Sequence, residues 1–284
     1  MENKQNKLSD ALNTYAEKNS GINTEKELFM QDQMAMETDP DLLMSYEVIK
    51  FPSKGLFYPN KISEVNVEYM TSKDEDLLTT PSLIENNTVL DILLRRKIKT
   101  AGISVDKLLE GDRNAIVLFL RTSSYGSSYA VNVNDPRTGI PFKTVVNLLE
   151  LKYKEITEKP DALGYFDVML PMRKKPAKIR LLNCGEDAFL FKQAQNIMEA
   201  YNEEFSSYST MKLKASIVSI NGNADRTYID RFVDVMPALD AYTIRKKILE
   251  VSPNVDMKYE FTAKDGYKFT NYLEVGADFF FPNT

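Results

Sequence analysis

Histidine is absent from this 284-residue chain, and Cys184 is its only cysteine. Without histidine there is no Ser-His or Cys-His nucleophile pair. The commonest general base and most transition-metal sites are lost with it. One cysteine forms no intrachain disulfide and no cysteine-based zinc site, so Cys184 reads as a small buried hydrophobe. No run approaches the roughly 20 apolar residues that span a bilayer. The charged start Met1 to Lys7 has no apolar stretch behind it, so the chain is expected to be cytoplasmic when made. Positive charge is also short: the formal charge of −5 and a pI near 5.1 lack the basic footprint that displaces phosphate counterions, and nucleic acid is not an expected partner. Walker A, G-x-G-x-x-G and EF-hand patterns are missing too. These absences together argue against an enzyme and against any cofactor, metal or small-molecule substrate.

What is present is the composition of a folded protein, and its organising stretch runs from Gly111 to Leu151. Asp112 is placed to cap a helix, and Ala115 to Leu120 is apolar nearly all the way round, as in a buried helix. Tyr125-Gly126 should end it. Tyr129, Val131 and Val133 alternate as a half-buried strand, Asp135 to Gly139 turns, and Phe142, Val145, Val146 and Leu148 return.

Around that centre the spacing predicts an α+β protein of helices packed with short antiparallel hairpins. Residues 1–45 are polar, with a weak amphipathic set at Leu8, Leu12 and Tyr15 and an apolar cluster at Leu28, Phe29 and Met30. They form a flexible N-terminal arm, to be read either as a disordered tail or as a segment that orders on a neighbouring subunit. An N-terminal α+β domain is expected over 46–151. It holds a strand at Val65 to Tyr69, a capping box at Thr71 to Asp74, and a helix capped by Asn87 or Thr88 that ends in Arg95-Arg96-Lys97. Residues 152–163 read as a linker or long loop. A C-terminal α+β domain follows over 164–284. In it, Phe166 to Leu170 and Ala177 to Leu181 form a hairpin. Leu190, Ala194, Ile197, Met198, Tyr201 and Phe205 lie at helical spacing as core, and Ala241, Ile244, Ile248 and Val251 mark a later helix. A third hairpin turns at Lys264-Asp265-Gly266, ahead of Phe279-Phe280-Phe281-Pro282.

Several strings occur in a recognisable order: Phe51-Pro-Ser-Lys-Gly-Leu-Phe-Tyr-Pro59, Met70 to Leu78, Gly111-Asp-Arg-Asn-Ala115, Tyr125-Gly126, Met236-Pro-Ala-Leu-Asp240 with Arg245, and Pro253-Asn-Val-Asp256. In this order, across about residues 46–284, the chain resembles the baseplate hub protein family of T-even-type contractile-tailed bacteriophages. Members of that family often carry Cys-x-x-Cys-Gly knuckles in two hairpins. The matching places here are Asp135-Pro-Arg-Thr138-Gly139 and Thr262-Ala-Lys-Asp265-Gly266, which keep the glycine and have lost both cysteines. The resemblance therefore implies degenerate zinc-knuckle-like hairpins without metal, an aromatic terminus, and a structural or assembly role with no catalytic residues.

The expected function is a structural component of a phage tail baseplate, hub or hub-proximal, acting through protein–protein interfaces in a hetro-oligomeric assembly with other baseplate and tail proteins. It would be made in the host cytoplasm and end in the virion tail. One alternative is a transient assembly factor that leaves once the hub has formed. A second is a cell-wall glycosidase working with carboxylates alone, for which the candidate acids are Asp74, Glu75, Glu186 and Asp187; all four sit at predicted helix starts, where the dipole also favours them. Interface candidates are Phe279, Phe280 and Phe281, which could equally close the protein's own core, then Arg95, Arg96 and Lys97, and Leu28, Phe29 and Met30 in the arm.

Overall fold

A computed structural model describes residues 45–85, 88–201, 206–263, 265–273 and 277–280, with the backbone alone at Ala277 and Asp278. Apart from Ser45, the expected arm with Leu28, Phe29 and Met30 lies outside the described residues, as do Asn87, Phe205, Lys264, Phe281 and Pro282. From Tyr46 onward the chain is one compact α+β unit.

Strand β1 (Tyr46–Lys50) pairs antiparallel with β2 (Glu64–Glu68), placing Ile49 opposite Val65. Helix α1 (Ser72–Leu78) opens with the Thr71/Asp74 capping box that the spacing predicts. Short α2 (Pro81–Glu85) and then α3 (Val89–Lys97) follow, with Thr88 in the N-cap position. Helix α4 (Glu110–Tyr125) is central and ends at Gly126, whose φ of 78° suits a residue without a Cβ. Strands β3 (Ser128–Asn134) and β4 (Pro141–Asn147) form the expected hairpin, with Tyr129 opposite Val146. Further on, β5 (Tyr165–Leu170), β6 (Lys175–Arg180) and β7 (Ile217–Ile220) make a sheet of order β5-β6-β7. Helices α5 (Cys184–Tyr201), α6 (Tyr208–Ser216), α7 (Arg226–Asp234) and α8 (Ala238–Val251) accompany it. Strands β8 (Lys258–Thr262) and β9 (Lys268–Tyr272) form the last hairpin.

The unit holds two hydrophobic clusters. In the first, Ile116, Val117 and Leu120 of α4 pack with Leu93 and Leu94 of α3, Val146 and Leu148, and then Val255, Phe261, Phe279 and Phe280 from the far end of the chain. The second gathers Phe166, Ile179 and Ile220 from the sheet with Leu213, Ile229, Phe232, Ile244 and Val251. The chain thus leaves the first cluster after Leu148 and rejoins it at Val255, so the clusters divide at two crossings, where the sequence pattern suggested one boundary. The stretch expected as linker is tied down where the crossings meet. Tyr153 bridges Val255, Lys154 N–H donates to Asn254 O at 2.8 Å, and Asp256 N–H donates to Lys152 O at 2.7 Å.

Two local expectations are corrected. Helix α4 begins at Glu110 with Leu109 in the N-cap position, so Asp112 is no cap; it lies in the first turn, fully buried, with its carboxylate turned inward. On α5, of the residues expected as core, Ala194 alone is buried. Leu190, Ile197 and Met198 are half-buried, and Tyr201 is 76% exposed. This helix packs closely at its start, where a Cβ on Gly185 would lie 2.9 Å from Asp106, and its remaining length leans on α6, so its apolar ring is wider than the surface offered to it.

Candidate functional site

The strings that carry the family resemblance lie apart in sequence, and the structure brings three of them to one buried point. The Pro-bracketed segment 51–59 folds into tight turns, with Lys54 and Gly55 both at positive φ. Ser53 N–H then donates to Asp112 Oδ1 at 2.9 Å, and Tyr58 O–H donates to Asp112 Oδ2 while accepting from Leu109 N–H at 3.0 Å. Gly111 faces the third string: a Cβ there would sit 2.1 Å from Pro253 O and 2.5 Å from Asn254 Cα. One turn along, Asn114 Nδ2 donates to Asn254 Oδ1 at 3.2 Å, an oxygen that also accepts from Val255 N–H at 2.8 Å.

Burial raises the Asp112 carboxyl above its ordinary value against the lowering effect of its Ser53 and Tyr58 hydrogen bonds, and burial and that carboxylate push the Tyr58 hydroxyl up as well. Such a pair could hold a proton. Both Asp112 oxygens are engaged and the residue is wholly enclosed, so what it does here is fix the 51–59 turns to α4. Outside it lies an open groove of about 450 Å³ lined by Phe51, Phe57, Tyr58, Ile103, Lys107 and Asn183 among others, and none of its lining residues is acidic.

A second buried node lies in the string Met70 to Leu78 and takes its cations from the end of α3. Asp74 is fully buried and lies 2.5 Å from Lys97 Nζ and 3.2 Å from Arg96 Nε, while Thr71 donates to it through N–H and hydroxyl, each at 2.9 Å. The Arg96 approach is an ion contact without hydrogen-bond geometry, which leaves Oδ1 without a hydrogen bond. Burial alone would raise this carboxyl, but Lys97 and Thr71 outweigh it and hold it below its usual value. Beside it, Tyr125 O–H donates to Glu75 Oε1 at 2.9 Å.

The glycosidase candidates are accounted for in the same way. Glu186 accepts from Arg180 at 3.0 and 2.8 Å and from Asn183 N–H at 3.0 Å; the last is one half of a reciprocal cap, because Glu186 N–H donates to Asn183 Oδ1. Burial pushes this carboxyl up, yet Arg180 and Asn183 bring it below the ordinary range. Asp187 accepts from Tyr208 O–H at 2.8 Å and pairs with Lys212 at 2.7 Å. A general acid needs a raised carboxyl, and Asp74 and Glu186 are shifted the opposite way.

Among the interface candidates, Lys97 is buried on Asp74 and is not surface on this chain. Arg95 is exposed, 2.8 Å from Asp106. Phe279 and Phe280 are fully buried in the first cluster, so of the two readings they close the protein's own core. Arg121 holds them there. Its guanidinium is buried and donates to the carbonyls of Phe279 (2.7 Å), Gly126 (3.0 Å) and Ser128 (3.4 Å), with the Tyr125 and Tyr129 rings over it. The hairpin turns at Asp135 and Asp265 come together around Arg137, which donates to Asp135 Oδ2 at 2.9 Å and Asp265 Oδ2 at 2.7 Å and stacks 3.9 Å above Tyr267. Cys184 is half-buried, and burial pushes its thiol up to about 12, far from the thiolate that reactivity needs.

Arg121 was not singled out from the sequence, although it had a visible signal, a lone cation at the end of an apolar run. Tyr58, Arg137, Asp240 and Asn254 fall within the quoted strings, but residue type and spacing gave none of them a role of its own. Among the described residues, no group of three His, Cys, Asp or Glu side chains is placed to hold a metal ion, and no helix is long and apolar enough to cross a membrane. No protein-family model, curated protein or solved structure matches the chain.

Proposed function

We propose that the chain is a structural component of a contractile phage tail baseplate, hub or hub-proximal, acting through protein–protein interfaces and catalysing no reaction. The observation that carries this reading is the meeting of Ser53, Tyr58, Gly111, Asp112 and Asn254 at one buried point. Three strings of the family resemblance meet there and tie the 51–59 turns and the return at Asn254 to α4, which is what a shared fold would require of them. The acids that could have served wall hydrolysis support it as well, since each is held by a cation, a phenol or a backbone N–H.

The test is to blot finished particles and baseplate intermediates for this chain. Presence in finished particles at a fixed ratio to other tail proteins is the expected result. Presence in intermediates alone would make it a transient assembly factor. Absence from both, or wall lysis by the purified protein, would overturn the proposal.

A further inference from the structure

The groove outside Asp112 lies on the seam between the two hydrophobic clusters. Phe51, Ile62, Ile103 and Leu108 along it belong to the first cluster or pack on it, and Phe57 packs on the second, its ring 6.0 Å from that of Phe166. Its walls are set before anything enters. The turns of 51–62 are closed on themselves, since a Cβ on Gly55 would lie 2.5 Å from Lys61 O, and Tyr58 is pinned through its hydroxyl to Asp112 and Leu109. A preformed concavity of about 450 Å³ at the junction of two cores falls in the size range of small-molecule sites.

The chemistry of the lining narrows the ligand. Half-buried Phe57, Tyr58, Ile62 and Ile103 give the groove apolar surface. Its free polar side chains all carry a donor. Lys107 is exposed and forms no ion pair among the described residues; the Ser104 hydroxyl makes no cap to the turn that follows it; Asn183 uses its Oδ1 on Glu186 N–H, which leaves the amide nitrogen. The acids on the same segments, Asp106, Glu186 and Asp187, are already paired with Arg95, Arg180 and Lys212. A lone cation thus stands in an apolar groove that has no carboxylate in its lining, on a chain whose overall balance is negative. We infer that the groove binds an amphipathic carboxylate, a small molecule with an alkyl or aryl body and one carboxylate. The body lies on Phe57, Tyr58 and Ile103, and the carboxylate takes Lys107 with Ser104 or Asn183 beside it. A cationic or uncharged ligand would leave the Lys107 ammonium without a counter-charge. The inference stands apart from the baseplate reading, because it rests on this groove alone.

The test titrates the full chain by calorimetry with decanoate and phenylbutyrate below their micelle concentrations, beside decyltrimethylammonium as an apolar body of opposite charge. The expected result is saturable binding of a carboxylate at a single site, a higher thermal transition, and protection of Lys107 from acetylation. Lys107→Glu should weaken that carboxylate by at least about tenfold and favour the ammonium, and Lys107→Met should lose the preference between them, with the thermal transition of the free chain unchanged in both. Absence of binding by both carboxylates, equal binding of the ammonium, or carboxylate binding indifferent to Lys107→Glu would overturn the inference. So would a phenylalanine-ended peptide that bound through its free carboxyl group where the small carboxylates did not, which would assign the groove to the chain end of a partner protein.

Discussion

The two hydrophobic clusters are closed by different means. The first draws residues from Ile49 to Phe280 and is locked by charged or polar groups reaching across the chain: Asp112 to Ser53 and Tyr58, Asp74 to Lys97, Arg121 to Phe279. The second is gathered from the unbroken stretch Phe166 to Val251 and holds one comparable buried acid, Asp240. Buried polar groups of this kind are costly when half-satisfied and specific when complete. The first cluster is therefore the region where a single substitution does most harm, and the second is the one that shows more of its apolar side chains to solvent.

That contrast can be broken most sharply at Gly111. Gly111→Ala drives a methyl into the Pro253 carbonyl, where backbone must move, and should cost about 3 kcal/mol or more, read as a fall in the urea midpoint. Lys97→Met strands the Asp74 carboxylate in the interior and should cost about 3–5 kcal/mol; Lys97→Met with Asp74→Leu should recover most of it. Arg121→Met leaves three carbonyls short of donors around Phe279, for about 2–3 kcal/mol, and should expose the last hairpin to protease first. Arg137→Met removes a largely solvent-exposed pairing and should lower the urea midpoint less than any of these. In the second cluster's outer face, Leu239→Glu should stay within about 0.5 kcal/mol of wild type. Equal sensitivity of the two clusters would erase the distinction.

Acid sharpens it further, because the two fully buried acids beside the first cluster, Asp74 and Asp112, titrate in opposite senses. Asp74 is held below its ordinary value of 3.8, so its contribution is in place above that pH and is lost as pH falls through its folded value. Asp112 is raised, so the folded chain binds a proton that the unfolded chain has released, and its share of stability rises as pH falls toward 3.8. Asp74→Asn should flatten the acid limb of the stability curve, and Asp112→Asn should raise the plateau near neutral pH relative to it.

Much of the fold was legible because local chemistry decided it. The Thr71 capping box, the apolar run of α4, the Asp135 to Gly139 turn and the alternation at Phe166 to Leu170 all fold as their spacing dictates. Segment 214–220 is helix end and strand at once: α6 ends at Ser216 and β7 begins at Ile217. What was not legible depended on distant partners. Asp112 has the local signature of a helix cap, and the N–H of Ser53, 59 residues away, turns it inward. The basic run 95–97 has the signature of dipole compensation, and Asp74 draws one of its members into the core. The α5 residues have core spacing, but a hydrophobic period says that a helix has an apolar face without saying how wide a surface will receive it. The roles of Tyr58 and Asn254 were hidden for the same reason, since a tyrosine or an asparagine carries no periodic mark even inside a quoted string.

The return of the chain at Val255 sets an order of events during synthesis. The ribosome has delivered every residue of the second cluster once Val251 is made, while the first cluster still lacks Val255, Phe261, Phe279 and Phe280. The earlier half of the sequence must wait, with Ile116 and Leu120 of α4 uncovered, as the inserted middle completes itself. Domains usually fold from the N-terminus as they emerge. Here the first cluster cannot be complete until its last contributors are made, after every buried residue of the second.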